Sequence, residues 1–420
     1  MIGYDEALAA ILREARPLAS ESRPVAQALG RILAAGVASP DALPPFDNSA
    51  MDGFALRAGD ATLSAGRAFD VRGAQVAGDA QADATADAGG AWEIMTGARL
   101  PEGFDTVVPV EQVEVLAQEE GRPRRIRLAA DAARGQHVRR RGEDVPLHVE
   151  VLPAGARVQP QQLMLLSALG VADVRVARRP KAAILTTGRE LVDDPAQPLA
   201  SGEIRNCNGP FLAARIAEAG AEVVCRRTVG DDPALFRAAL AEALAAGAEV
   251  VVSTGAVSMG RHDFVPDTLR ALGARQHFHK VRIRPGKPLL FARLAGGALY
   301  FGLPGNPVSC AVGLRFFVEP ALRAMLGLAP ERPLRVPLAE AFGKRAPLRF
   351  HLKGRLDCDD TGRLRAHVLP GQESFRILPL AAGNAWIVIG EETDALAAGA
   401  LVEVHGLGHL QPPSWESVAR

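Results

Sequence analysis

Several carboxylates, arginines and lysines fall where short apolar runs end in small residues, and these positions are the place to look for chemistry. Val250, Val251 and Val252 form a β-branched run that predicts a fully buried parallel strand. It breaks into Ser253, Thr254, Gly255, Ala256, Val257, Ser258, Met259 and Gly260, small residues that let a backbone approach a ligand, and Asp263 follows. Ligands of open α/β sheets sit outside the carboxyl ends of the strands. Asp263 equally fits an ordinary strand-to-helix loop, near a helix start. Glu190 lies just past KAAILTTG, which ends at Gly188. Asp231 follows a strand ending at Gly230, and Asp232 beside it is accounted for as the cap of a helix begun by Pro233, which leaves Asp231 unexplained.

The basic counterparts are Lys280, Arg282, Arg284 and Lys287, within eight residues. Alternation places the first three on one face of an extended segment, which suits an anion; a charged strand edge is the plainer reading. In GLPGNPVS, Gly302 to Ser309, Pro304, Gly305, Asn306 and Pro307 make a rigid turn into a helix. Free N–H groups at such a start, with the Ser309 hydroxyl, accept an oxyanion. Asp52 lies in a loop of prolines and Asp-Asn-Ser residues, Thr96 and Gly97 at a strand end, and Arg139, Arg140 and Arg141 beside Glu143 and Asp144. Three consecutive arginines cannot all face one ligand.

The elements that must position these groups follow from composition and periodicity. A chain of 420 residues with 48% hydrophobic and 23% charged residues is globular and multidomain. Its 48 basic and 48 acidic side chains cancel, arguing against a nucleic-acid or membrane coat. Four scattered cysteines with no C-x-x-C pair suggest neither zinc nor a redox motif, and are expected as cytoplasmic thiols. The N-terminus predicts an amphipathic helix rather than a signal peptide, and no apolar run is long enough to span a bilayer. Short alternating strands fill the region to about Glu143. A helix carrying Leu163, Leu166 and Leu169, with Met164 as core filler, ends at Gly170. From Lys181 strands alternate with helices, the pattern of a doubly wound α/β domain, and beyond about Ala329 short strands return.

Seven motifs in order, DNSAMDGFA (47–55), MTGARLPEG (95–103), RRRGEDV (139–145), TTGREL (186–191), STGAVSMGRHDF (253–264), IRPGKP (283–288) and GLPGNPVS (302–309), resemble the molybdopterin molybdenumtransferases, the MoeA proteins of bacteria and the E-domain of gephyrin. The resemblance covers nearly the whole chain. It implies a multidomain α/β plus β fold: a helical and extended dimerisation region (1–45 and 146–177), an inserted β-rich domain (46–145), a doubly wound molybdopterin-binding domain (178–328) and a C-terminal β-barrel-like domain (329–412). The implied reaction inserts molybdate into adenylylated molybdopterin with release of AMP, in the last step of molybdenum cofactor synthesis, with Mg2+.

Carried onto this chain, the resemblance implies catalytic roles for Asp52, Thr96, Glu190, Asp231 and Asp263, the last three also as metal ligands through oxygen. It implies substrate binding by Arg139, Asp144, Gly188, Gly255, Ser258, Lys280, Arg284, Lys287, Pro304, Gly305, Asn306, Pro307 and Ser309, with Arg349 and Ser374 as weaker candidates. The cations would offset oxyanion and pyrophosphate charge. It also implies a cytoplasmic homodimer whose active site is shared between subunits, and a transient contact with the molybdopterin adenylyltransferase. Three departures stand out: Arg189 where an acid is usual, Ala256 where a second glycine is usual, and Arg284 where lysine is common. Competing readings are the preceding adenylylation and a non-catalytic gephyrin-like scaffold.

Overall fold

Val250, Val251 and Val252 are each 0% exposed, as a strand covered on both faces requires. The computed structural model describes residues 1–80, 82, 87, 89–257, 264–344 and 347–417. Val250–Thr254 lies in a six-stranded sheet between Lys181–Thr187 and Leu299–Leu303. Glu222–Val229 extends the parallel set on one side, while Leu290–Arg293 and Arg275–His279 add antiparallel strands on the other. Helices Asn208–Glu218 and Pro233–Ala245 cross between parallel strands, giving the doubly wound arrangement. Asp232 caps the second, its carboxylate accepting from Ala234 and Leu235 N–H at 2.6 and 3.3 Å. Apolar residues of alternating parity fill the two faces: Ile184, Val250 and Val252 join one buried cluster, Leu185 and Val251 the other.

The chain divides into two compact units, residues 1–21 with 177–420, and residues 22–176. Helix Tyr4–Glu14 packs Ala7, Ala10 and Ile11 into the same cluster as Leu212, Ile216 and Phe301, so it belongs with the α/β sheet and not with the segment that follows it. The larger unit also holds a seven-stranded C-terminal sheet, in which Arg349–Cys358 pairs with Ala385–Ile389 and with Ile283–Arg284. The basic segment is therefore an edge of the C-terminal sheet. Trp386 and Val388 share the α/β core, which ties the two sheets together.

In the smaller unit a six-stranded sheet contains Gly53–Leu56 between Thr106–Pro109 and Gly90–Ile94. A separate cluster of Val25, Leu33, Leu152, Leu166 and Val176 surrounds helix Pro160–Ala168. Met164 on that helix is 72% exposed, contrary to the expected core role; of the helix only Leu166 is fully buried.

Candidate functional site

In the smaller unit the Asp52 carboxylate is built into a defined hydrogen-bond pair. Thr96 donates both its N–H (2.6 Å) and its hydroxyl (2.8 Å) to Asp52 Oδ1. The two bonds, the backbone one foremost, hold the carboxyl below the ordinary aspartate range although it is solvent-exposed. Gly53, next in the chain, admits no side chain, since a Cβ there would fall 2.0 Å from Val108 O. Gly97 takes φ +78°, the left-handed turn that follows Thr96. Strand Val138–Arg139 pairs with Asn48–Ser49, placing Arg139 opposite Asn48. Arg140 and Arg141 both serve Asp47, through a guanidinium bond of 2.7 Å and an N–H bond of 2.7 Å. Arg139 has no side-chain partner among the described residues, nor has the exposed Asp144. Arg140 and Arg141 are thus tied to neighbouring loop groups, while the exposed Arg139 has no such tie among the described residues.

In the larger unit the loops at the carboxyl ends of the parallel strands converge. Gly188 has φ +148°, and a Cβ there would lie 2.7 Å from Glu190 Oε1, so the carboxylate rests against the glycine backbone. Arg189 N–H lies 3.4 Å from Asp231 Oδ2, joining that loop to the next. Neither Glu190 nor Asp231 is ion-paired among the described residues. A Cβ on Gly255 would sit 2.6 Å from both Thr187 O and Oγ1, and one on Gly305 would sit 3.8 Å from Gly255 Cα. Asn208 Nδ2 then holds Gly305 O at 2.7 Å. Ser258 and Asp263 lie outside the described residues. Among the described residues, no three His, Cys, Asp or Glu side chains group closely enough to hold a metal ion.

The basic segment differs from the alternating face expected of it. Lys280 has φ +79° and only Ile283–Arg284 is strand, so the alternation is broken at its start. Arg282 is bound to Glu391 at 2.8 Å. Arg284 lies over the Phe350 ring at 5.4 Å, and Lys287 is exposed without a side-chain partner among the described residues. Gly286 (φ +103°) packs against the Pro307 helix start, where a Cβ would meet Ser309 O at 3.4 Å, so Lys287 and Ser309 share a neighbourhood.

The helix start presents fewer free donors than the sequence suggests: Pro307 has no N–H, and Val308 N–H is taken by Ser374 O at 2.9 Å. Pro304 is buried, Asn306 is the cap residue, and Ser309 is 5% exposed. Ser374 is therefore at the turn through its carbonyl. Arg349 is engaged elsewhere, bonded to Glu403 at 2.7 Å and stacked on Tyr4 at 4.5 Å.

Two positioning groups escaped the sequence reading. Ser49 is buried between the two loops of the smaller unit. Asn206 Nδ2 faces Thr186 Oγ1, Asp193 Oδ1 and Thr228 Oγ1 at 2.9, 2.9 and 3.0 Å, while its Oδ1 accepts Gly209 N–H at 3.0 Å. A polar residue just before a predicted helix was the available signal for Asn206.

The chain matches known proteins over nearly its whole length. The N-terminal region model of MoeA (domains I and II) matches residues 2–170, a probable molybdopterin binding domain matches 183–324, and the MoeA C-terminal region (domain IV) matches 335–407. The molybdopterin molybdenumtransferase of Synechococcus elongatus is 38% identical over 413 residues, covering 97% of this chain and all (100%) of that protein. The molybdopterin molybdenumtransferase of Bacillus subtilis is 33% identical, over 96% of this chain and 93% of its own. A crystal structure of the molybdopterin biosynthesis MoeA protein from Pyrococcus horikosii superposes with TM-score 0.79 at 28% identity, covering 97% of this chain and 99% of that one. Near-complete coverage by relatives at this identity, with every region matched in order, shows that the chain belongs to the MoeA family of molybdopterin molybdenumtransferases.

Proposed function

We propose that this protein is a molybdopterin molybdenumtransferase, inserting molybdate into adenylylated molybdopterin and releasing AMP. The observation that carries the reading is the convergence of Gly188, Gly255 and Gly305 at the ends of three adjacent parallel strands, with Glu190 and Asp231 beside them. Backbone approach at those glycines accommodates a flat ligand and its phosphates. Lys287 and Arg284 supply positive charge toward oxyanions, Arg284 as a planar fork rather than a point charge. Lys280, Ser309, Arg139 and Asp144 complete the proposed set of substrate contacts.

Mg2+ belongs to this proposal. Magnesium keeps several waters and takes one or two carboxylates plus substrate phosphate, so Glu190 and Asp231, both free of cationic partners among the described residues, fit it without a closed protein cage. Bound there, the ion would neutralise the phosphoanhydride as it breaks. Asp263 is proposed as a third ligand on sequence grounds. The proposal also includes a cytoplasmic homodimer in which Asp52 and Thr96 of one subunit serve the Glu190 and Asp231 loops of its twin, and a transient contact with the molybdopterin adenylyltransferase that supplies the substrate.

The test is incubation of purified protein with adenylylated molybdopterin, molybdate and Mg2+. AMP release with formation of active cofactor is expected; its absence would sink the reading. ATP consumption with unmodified molybdopterin would instead assign the adenylylation step. Mixing inactive Asp52→Ala and Asp231→Ala chains is expected to restore part of the activity, and no recovery after verified subunit exchange would exclude the shared site.

A further inference from the structure

We propose that Ser49 is the positioning residue of the Asp52–Thr96 pair, closing the turn that aims the carboxylate while anchoring the turn that aims the threonine. The inference rests on the reading that this pair acts in molybdenum transfer. Ser49 is 0% exposed, an unusual place for a serine unless its polar atoms are satisfied. They are. Its hydroxyl donates to Met51 O at 2.5 Å, and its Oγ accepts Met51 N–H at 3.2 Å, so one side chain closes both polar groups of the residue preceding Asp52.

The Ser49 main chain faces the other way. Its N–H donates to Ala98 O at 3.0 Å and its carbonyl accepts Gly97 N–H at 2.8 Å, fixing the residues directly after Thr96. On its second edge Ser49 is in register with Val138, and Ala50 N–H bonds His137 O at 2.8 Å, which sets the strand bearing Arg139. Three segments far apart in sequence, carrying Asp52, Thr96 and Arg139, thus meet on one buried residue. Asp52 is held from its other side too, its carbonyl accepting Val110 N–H at 3.1 Å. With both flanks of Asp52 tied, the loss of the Ser49 hydroxyl frees the 49–51 turn alone and leaves the sheet paired.

Ser49 touches no reacting atom, so its effect is geometric. In Ser49→Ala the backbone bonds remain and the closure of Met51 is lost. The expected result in the AMP-release assay is a fall in kcat of ~10- to 100-fold, the scale of a catalytic group misplaced by about an ångström, with KM changed less than about threefold. Amide hydrogen exchange provides a readout independent of activity. Met51 is 38% exposed, so its amide would exchange rapidly unless Ser49 Oγ holds it. Protection of the Met51 amide in the unaltered chain, lost in Ser49→Ala while the Val107 and Val108 amides of the sheet stay protected, supports the proposal. Wild-type kcat in Ser49→Ala overturns it, and so does a rapidly exchanging Met51 amide in the unaltered chain. That second measurement decides the matter even if Ser49→Ala fails to fold. If the unaltered protein releases no AMP, the functional reading falls while the exchange data still judge Ser49.

Discussion

Thr96 gives both of its donors to a single oxygen of Asp52, at 2.6 Å from the backbone and 2.8 Å from the hydroxyl, and leaves Oδ2 free of protein partners among the described residues. One oxygen orients the group and the other faces solvent, the arrangement of a carboxylate kept ionised and aimed.

Thr96→Val removes the hydroxyl and keeps the backbone bond. Because both bonds lower the Asp52 pKa, its carboxyl is expected to titrate closer to the ordinary aspartate range in this variant, as read by carbon NMR with Asp52→Asn for assignment. The bonds favour the ionised form, so their contribution is present above the unfolded-state pKa and disappears as pH falls through the folded one. Activity should fall by about tenfold, and Thr96→Ser should retain it. Unchanged titration in the valine variant would show that the backbone bond alone sets the value.

Adjacent positions in the 255–256 loop should respond with opposite signs. Gly255 has φ +85° and no room for a Cβ, so Gly255→Ala is expected to destabilise by about 2 kcal/mol or more and to reduce activity. Ala256 has φ +51°, a conformation costing an L-residue about 1–2 kcal/mol, against the smaller entropic penalty of glycine. Ala256→Gly should therefore stabilise slightly, by about 0.5 kcal/mol. Urea midpoints compare the two.

The Asn206 side chain satisfies buried hydroxyls that join the first two parallel strands. Asn206→Ala is expected to cost about 1–3 kcal/mol, the range for stranding buried polar groups. Asn206→Asp should cost more, because it places a second carboxylate against Asp193, whose Oδ1 now accepts a bond of 2.9 Å. In that variant Asp193→Asn should recover part of the loss, measured again by denaturant unfolding. A milder effect for Asn206→Asp than for Asn206→Ala would contradict the assigned donor role.

His409 gives a pH dependence. It is 5% exposed, its Nε2 lies 3.1 Å from Ala219 O, and burial drives its pKa down to about 3 despite that bond. An unfolded histidine titrates near ~6.5. Between these values the unfolded chain holds a proton that the folded chain lacks, so stability falls as pH drops, at up to about 1.4 kcal/mol per pH unit. His351, wholly buried between Tyr4 and Phe316 and also driven well below its ordinary pKa, adds to the same slope. Urea midpoints at pH 7.5 and 5 are expected to converge in His409→Gln relative to the unaltered chain. Equal slopes would mean that His409 takes up a proton without unfolding.

The buried strand Val250–Thr254, the capped helix at Asp232 and the loops ending in Glu190 and Asp231 were legible in the sequence, because β-branched runs, Asp-Pro starts and small residues at strand ends act over a few residues. Which arginine of the triplet stays available was not. Asp47, about ninety residues earlier in the chain, takes the Arg140 guanidinium, Pro45 O and Asp41 take that of Arg141, and Arg139 is left. The basic face failed for a similar reason: Glu391 captures Arg282, and the left-handed Lys280 breaks a two-residue period that holds only within a strand. The roles of Ser49 and Asn206 were not legible either: a polar residue before a helix start marks Asn206 only as a cap, and the partners of a buried polar group are assembled by folding. Local propensity thus determined the elements and the chemistry at their ends, and long-range pairing of charges and hydrogen bonds decided which side chains remain available to a ligand.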